Sequence, residues 1–214
     1  MILNMYKPKG WTSFDVVKKV RSITKEKKVG HAGTLDPFAE GVLILGTGKD
    51  TKRLSDISSS NKMYKAVLKL GVQTDSLDID GNITSESKVP DLSIDEIKRV
   101  LKSTLGEQLQ TPPMYSAKKV NGIRLYKLAR KNIVIKREPS KIHIYEIELI
   151  HYSVPLVTFQ VTCSKGTYIR VLGSEIAEKL GTVGHLVELI RIGVGDYMLN
   201  HTVHIEELQE QWIS

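Results

Sequence analysis

The sequence predicts an α+β fold built on a largely antiparallel sheet. The strand-like runs "IVIKREPSKIHIYEIELIHY" and "PLVTFQVTCS" are separated by tight-turn residues, not by a crossover helix, which favours antiparallel pairing over βαβ winding. Helical segments with capping signals stand between groups of strands instead of alternating with them. A chain of 214 residues can enclose a sizeable core without disulfides, and the single Cys163 cannot form one within the chain.

Taken in order, "MILNMYKP" reads as a short strand. "TSFDVVKKVRSITKEKK" reads as a helix capped by Thr12 or Ser13, with Asp15 in its first turn, Phe14, Val17, Val20 and Ile23 on one face and a basic opposite face. Strand-like "GVLILGTG" follows, then "KMYKAVLKLG", where Tyr64, Ala66, Leu68 and Leu70 share one side at period two. "LSIDEIKRVLKSTLG" carries a Ser93/Glu96 capping box, apolar Ile94, Ile97, Leu101 and Leu105, and Gly106 as its stop. "TPPMYSAKKVNGIRLYKLARKN" is a proline-led basic loop entering a short helix. After the two strands come "YIRVLGSEIAEKLG", a last strand-like piece, and a closing helix in "HTVHIEELQEQWI". No internal repeat is present, so a single domain over residues 1–214 is expected.

The net charge of +7 is compatible with a polyanionic partner. No apolar run approaches a membrane span or a signal peptide, so a cytoplasmic protein is expected.

One stretch, "GHAGTLDPFAEGVLILGTG" (30–48), sets Asp36 between a glycine-rich approach and an apolar strand. Pro37 holds Asp36 extended, and Gly30 and Gly33 let the approach turn sharply or admit a ligand. Familiar alternatives fail. "GTGKDT" has Asp50 where a phosphate loop needs Ser or Thr, and it lacks the third glycine of a dinucleotide fingerprint. "TDSLDIDGN" resembles a calcium loop for only a few residues, and its carboxylates are expected to be solvated turn formers. His31 has no partner at ligand spacing, and no metal is expected.

The stretch "GHAGTLDPFAEGVLILGTGKDTK" resembles the signature of the bacterial TruB family of tRNA pseudouridine synthases. So do "YKPKGWTS", "KMYKAVLKLGVQTDSLDIDG", "PPMYSAKKVNGIRLYKLAR" and "CSKGTYIRVL", in the same order and over nearly the whole chain. The resemblance implies a pseudouridine-synthase fold with a central catalytic cleft and isomerisation of uridine 55 in the T loop of tRNA. It assigns the acting carboxylate to Asp36, its cationic partner to Arg170 and the aromatic that stacks on the flipped uracil to Tyr64. His31 would fill or open the space left by that base, and Tyr168 and Leu189 match pocket positions. Lys7, Lys9, Lys18, Lys19, Lys62, Lys118, Lys119, Arg124, Arg130 and Arg191 would supply positive charge along a phosphate track. The reaction is an isomerisation, so no cofactor is expected. The expected partner is the tRNA T stem-loop, acted on by a monomer without a protein helper.

The chain also departs from the family pattern. Ile190 stands where the first of two arginines is usual, Glu175 and Ala177 replace Asp and Gly, and Asn132 replaces a glycine. Only about 20 residues follow Arg191, so the C-terminal RNA-binding (PUA) domain of many relatives is expected to be absent. Two rival readings remain at this stage: the same chemistry on another RNA, alone or guided by a partner complex, and a non-catalytic tRNA-binding or tRNA-folding protein.

Overall fold

The structure, a computed structural model, describes residues 1–120, 122–131 and 133–213; Asn132 lies outside them. In chain order the elements are β1 (Ile2–Lys7), α1 (Ser13–Thr24), β2 (Val29–His31), β3 (Glu40–Thr47), α2 (Leu54–Ser59), β4 (Lys62–Leu70), β5 (Val72–Thr74), β6 (Ile83–Glu86), α3 (Ile94–Lys102), β7 (Gly106–Gln110), β8 (Lys119–Val120), β9 (Ile123–Arg124), α4 (Leu125–Ala129), β10 (Ser140–Ser153), β11 (Leu156–Cys163), α5 (Ile169–Lys179), β12 (Gly184–Val194), β13 (Tyr197–Met198) and α6 (Ile205–Ile213). They form two compact units, one of residues 1–65 with 189–214 and one of residues 66–188.

In the first unit β3 is the central strand. β1 pairs with it antiparallel from Ile2↔Gly46 to Lys7↔Gly41, β2 pairs antiparallel at its far end, and β12 joins parallel through Ile190↔Glu40 and Arg191↔Gly41. Every residue from Gly41 to Thr47 is buried. Leu43 and Leu45 face a cluster with Met5, Val16, Val17, Val20, Ile205 and Leu208, while Val42 and Ile44 face a second with Ala32, Leu54 and Val194. Enclosure on both faces explains why "GVLIL" is continuously apolar and does not alternate.

Thr12, not Ser13, caps α1, in a capping box closed by Asp15. The buried face of α1 is Ser13, Val16, Val17, Val20 and Thr24. Phe14 is 54% exposed, contrary to its expected place on that face, and lies under the Lys18 ammonium at 5.0 Å. Helical geometry allows one face of about 100°, and Val16 and Val17 define it, leaving Phe14 outside.

In the second unit β11, β10 and β7 are antiparallel neighbours, as the turn-joined strands predict. The capping box of α3 forms as expected from Ser93 and Glu96. Gly106 does not end this helix. Ser103 is its C-cap, and Gly106 opens β7 at φ +92°. Ile94 and Leu105 are exposed, and Ile97 and Leu101 alone carry the buried stripe. Along β4, Lys62, Tyr64, Ala66, Leu68 and Leu70 form one buried row, the predicted period of two. α5 packs by small residues: a Cβ on Gly184 would stand 2.8 Å from the Ala177 Cβ, and one on Gly173 2.9 Å from Leu186. Ala177 is thus accommodated by a glycine on the facing strand. No helix of the described residues is long and apolar enough to cross a membrane.

Candidate active site

The segment carrying Asp36 runs from the end of β2 to the start of β3, and its backbone is fastened at several points. Ala32, Leu35, Phe38 and Ala39 are buried, whereas Asp36 is half-buried. The Ser13 hydroxyl accepts from the Leu35 amide at 2.9 Å and donates to the Leu35 carbonyl at 3.3 Å. The Gly10 amide donates to the Pro37 carbonyl at 2.8 Å, and the Ala39 amide closes a turn onto the Asp36 carbonyl at 3.1 Å. Two sequence blocks far apart in the chain, "YKPKGWTS" and "GTLDPFA", are therefore halves of one construction. The first positions the backbone of the second.

Two buried cations complete it. The Lys7 ammonium donates to the carbonyls of Ala39 (2.6 Å), Pro8 (2.9 Å) and Pro37 (3.4 Å). Burial pushes its pKa down from 10.5 to about 8; the charges of Asp36 and Glu40 pull it back up, and Arg191 adds to the lowering. The Arg191 guanidinium donates from Nε to the Val42 carbonyl (2.7 Å) and from Nη2 to the Gly33 carbonyl (3.3 Å). Beside them the Tyr6 hydroxyl donates to Glu40 at 2.7 Å, and burial with that carboxylate raises its pKa to about 12.

Three of the cations expected along a phosphate track lie inside the fold. Lys7 and Arg191 are 0% and 1% exposed, and Lys62 is buried with its ammonium on the carbonyls of Ser58 (2.5 Å) and Ser60 (2.7 Å) at the C-terminal end of α2. Backbone carbonyls collected by the fold have taken these three cations off the surface. Lys9, Lys119, Arg124 and Arg130 remain exposed. His31 ends β2 opposite Leu45, Tyr64 lies in the buried row of β4, and Leu189 is buried on β12, all within the first unit.

The second unit holds Arg170, Tyr168, Lys119 and Arg130. Arg170 lies in the first turn of α5, and its cation is fixed from several sides. Nη1 donates to the Ser76 carbonyl (2.5 Å) and lies 3.4 Å from the Asp78 carboxylate, while Nη2 donates to the Tyr115 carbonyl (2.6 Å). Asp78 in turn accepts from the Ser76 hydroxyl (2.5 Å) and the Asp80 amide (3.1 Å). The carboxylates of "TDSLDIDGN" are thus not all solvated: Asp78 is buried and belongs to the Arg170 network. The start of α5 is held by the buried Gln110 side chain, whose Oε1 accepts from the Tyr168 amide (2.7 Å) and whose Nε2 donates to the Tyr168 carbonyl (3.2 Å). Sequence reasoning passed over Asp78 and Gln110, although Asp78 falls within a quoted motif.

The chain offers, in its first unit, a half-buried carboxylate on a fastened backbone and, in its second, a guanidinium held on a helix. Comparison with known proteins bears on what it does. The TruB family pseudouridylate synthase N-terminal domain matches residues 21–169. The tRNA pseudouridine synthase B of Clostridium acetobutylicum is 48% identical over 213 residues, covering 100% of this chain and 73% of its own. A crystallised Cbf5-Nop10-Gar1 complex is similar with a TM-score of 0.77 and 28% identity, over 98% of this chain and 53% of that one. An H/ACA RNP bound to a substrate RNA containing 2'-deoxyuridine gives 0.73 and 26%, over 98% and 52%. The chain spans about half the length of those two structural relatives. A family match over most of the chain, together with this identity, shows that the chain belongs to the TruB family of pseudouridylate synthases.

Proposed function

We propose that this chain isomerises uridine to pseudouridine at position 55 in the T loop of tRNA, with Asp36 as the acting carboxylate. The observation that carries the reading is the Asp36 segment, whose backbone is pinned by Ser13, Gly10 and Lys7 while the aspartate itself stays half exposed. A reacting group held this way needs little reorganisation when substrate docks. The reaction breaks the N-glycosidic bond, turns the uracil and joins its C5 to the ribose C1′, with the C5 hydrogen leaving to solvent as a proton and N1 taking one up. Asp36 acts on ring C6 or on ribose C1′, and either route needs it ionised.

By the family pattern Arg170 serves that carboxylate as its cation, and Tyr64 stacks on the flipped uracil, which supplies about 1–3 kcal/mol per base. His31, Tyr168 and Leu189 shape the space around the base. Exposed Lys9, Lys119 and Arg130 meet the RNA backbone. The name of the Clostridium acetobutylicum relative supports tRNA as substrate. Action on bare tRNA without a protein partner is part of the proposal, since the structural relative of highest similarity quoted above was crystallised with Nop10 and Gar1.

The test is to incubate the purified chain alone with a T stem-loop transcript, and with one whose uridine 55 is replaced by cytidine, and to map pseudouridine. Product at position 55 in the first and none in the second is expected. Product at another uridine would move the site, and product only after addition of a cell extract would make a partner necessary.

A further inference from the structure

Arg191 was expected to meet RNA phosphate, yet its guanidinium is enclosed and bonded to two main-chain oxygens, those of Gly33 and Val42. These carbonyls flank the segment that carries Asp36: Gly33 lies three residues before it, and Val42 six residues after it on β3. One planar group therefore ties both ends of the excursion together. Two glycines with positive φ adjoin Arg191. Gly33 has φ +97°, and a Cβ there would lie 3.6 Å from Arg191 Nη1. Gly41 has φ +104°, and a Cβ there would come within 2.4 Å of the Arg191 carbonyl oxygen. The parallel register Arg191↔Gly41 fixes the root of the side chain against the same strand.

Burying a charge is unfavourable unless it is fully used, and filling space alone needs no charge. A guanidinium has the fork geometry to bond two carbonyls at once, which a lysine ammonium at the same place does less rigidly. Lys7 fastens the other side of the turn, through Pro37 and Ala39, so the two cations divide the segment between them.

We propose that Arg191 is a positioning residue for Asp36: it touches no substrate, and by clamping the carbonyls of Gly33 and Val42 it sets the place from which the carboxylate acts. The inference rests on the proposed role of Asp36. Displacing a reacting group by about 1 Å costs on the order of 10²-fold in rate.

The experiment compares the full chain as wild type, Arg191→Met and Arg191→Lys. It measures single-turnover rate at saturating T stem-loop RNA, the RNA dissociation constant, and amide hydrogen exchange over residues 32–39. For Arg191→Met the rate at saturation should fall about 10²-fold, the dissociation constant should stay within about threefold of wild type, and exchange over 32–39 should quicken. Arg191→Lys should recover part of the rate. Should Arg191→Met fail to fold, Arg191→Lys carries the same expectation in milder form. Weaker RNA binding with an unchanged saturated rate would overturn the proposal in favour of a phosphate contact. An unchanged rate with only a lower melting temperature would reduce Arg191 to packing. If the wild type does not turn over, the functional reading fails by itself; the exchange measurement still decides the clamp, and unchanged protection over 32–39 in the variants would overturn it.

Discussion

The Arg170 guanidinium lies 3.4 Å from the Asp78 carboxylate, and both side chains are almost wholly enclosed. Asp78 is itself bonded by the Ser76 hydroxyl and the Asp80 amide, so the pair is a fixed network and not a surface ion pair. Removing one partner of such a pair leaves a buried charge poorly compensated, a loss of about 3–5 kcal/mol. Asp78→Asn should therefore lower the unfolding free energy by about 3 kcal/mol in a denaturant titration. A change below about 0.5 kcal/mol would show that the carbonyls of Ser76 and Tyr115 suffice to hold Arg170.

Lys7 gives a pH signature. Its folded pKa of about 8 lies below the ordinary 10.5, so between these values the unfolded chain holds the proton more firmly than the folded one. The stability of the wild type relative to Lys7→Met should hence rise as pH climbs from about 8 towards 10.5 and be flat below that window. Melting both proteins from pH 7 to 10 checks the sign. A gap that narrows over the window would mean that the carbonyls of Ala39, Pro8 and Pro37 hold the ammonium more strongly than burial opposes it.

Two glycines with positive φ should respond differently to alanine. At Gly10, φ +83°, a Cβ meets nothing within 4 Å, so the cost is that of the left-handed backbone, about 1–2 kcal/mol. At Gly41 the Cβ would also collide with the Arg191 carbonyl, and β3 and β12 would have to separate. Gly41→Ala should cost more than about 3 kcal/mol. Equal midpoints for the two variants in parallel denaturant titrations would contradict this.

Burial also sorts the lysines and arginines by their effect on RNA binding. Replacing exposed Lys119 or Arg130 by Ala should weaken binding to all tRNA sequences alike and reduce the slope of log K against log salt by about 1. Lys62→Met should leave the slope unchanged, because its ammonium serves the end of α2. Titration by filter binding at several salt concentrations separates the two classes.

Local signals were legible in the sequence. The capping box of α3, the period of β4 and the antiparallel pairing of β10 and β11 each depend on residues a few positions apart, and each formed as read. The Asp36 segment stood out for the same reason, since Pro37 and the glycines act on the nearest backbone. What was not legible depends on carbonyls that only the folded chain brings together. Lys7 and Arg191 look like surface charges until Pro37, Ala39, Gly33 and Val42 converge on them. Asp78 sits in an acidic turn that reads as solvated, and Arg170, 92 positions later, draws it inside. Phe14 misled in the opposite sense, because an aromatic beside an amphipathic stripe can lie on the surface under a lysine.

The central claim is that Asp36 performs the isomerisation. Tritium release from a [5-³H]uridine-labelled tRNA T stem-loop, with wild type beside Asp36→Asn and RNA binding measured on both, tests it most directly. Release by the wild type alone, with binding kept in the variant, is the predicted result. Release by Asp36→Asn at the wild-type rate would contradict it.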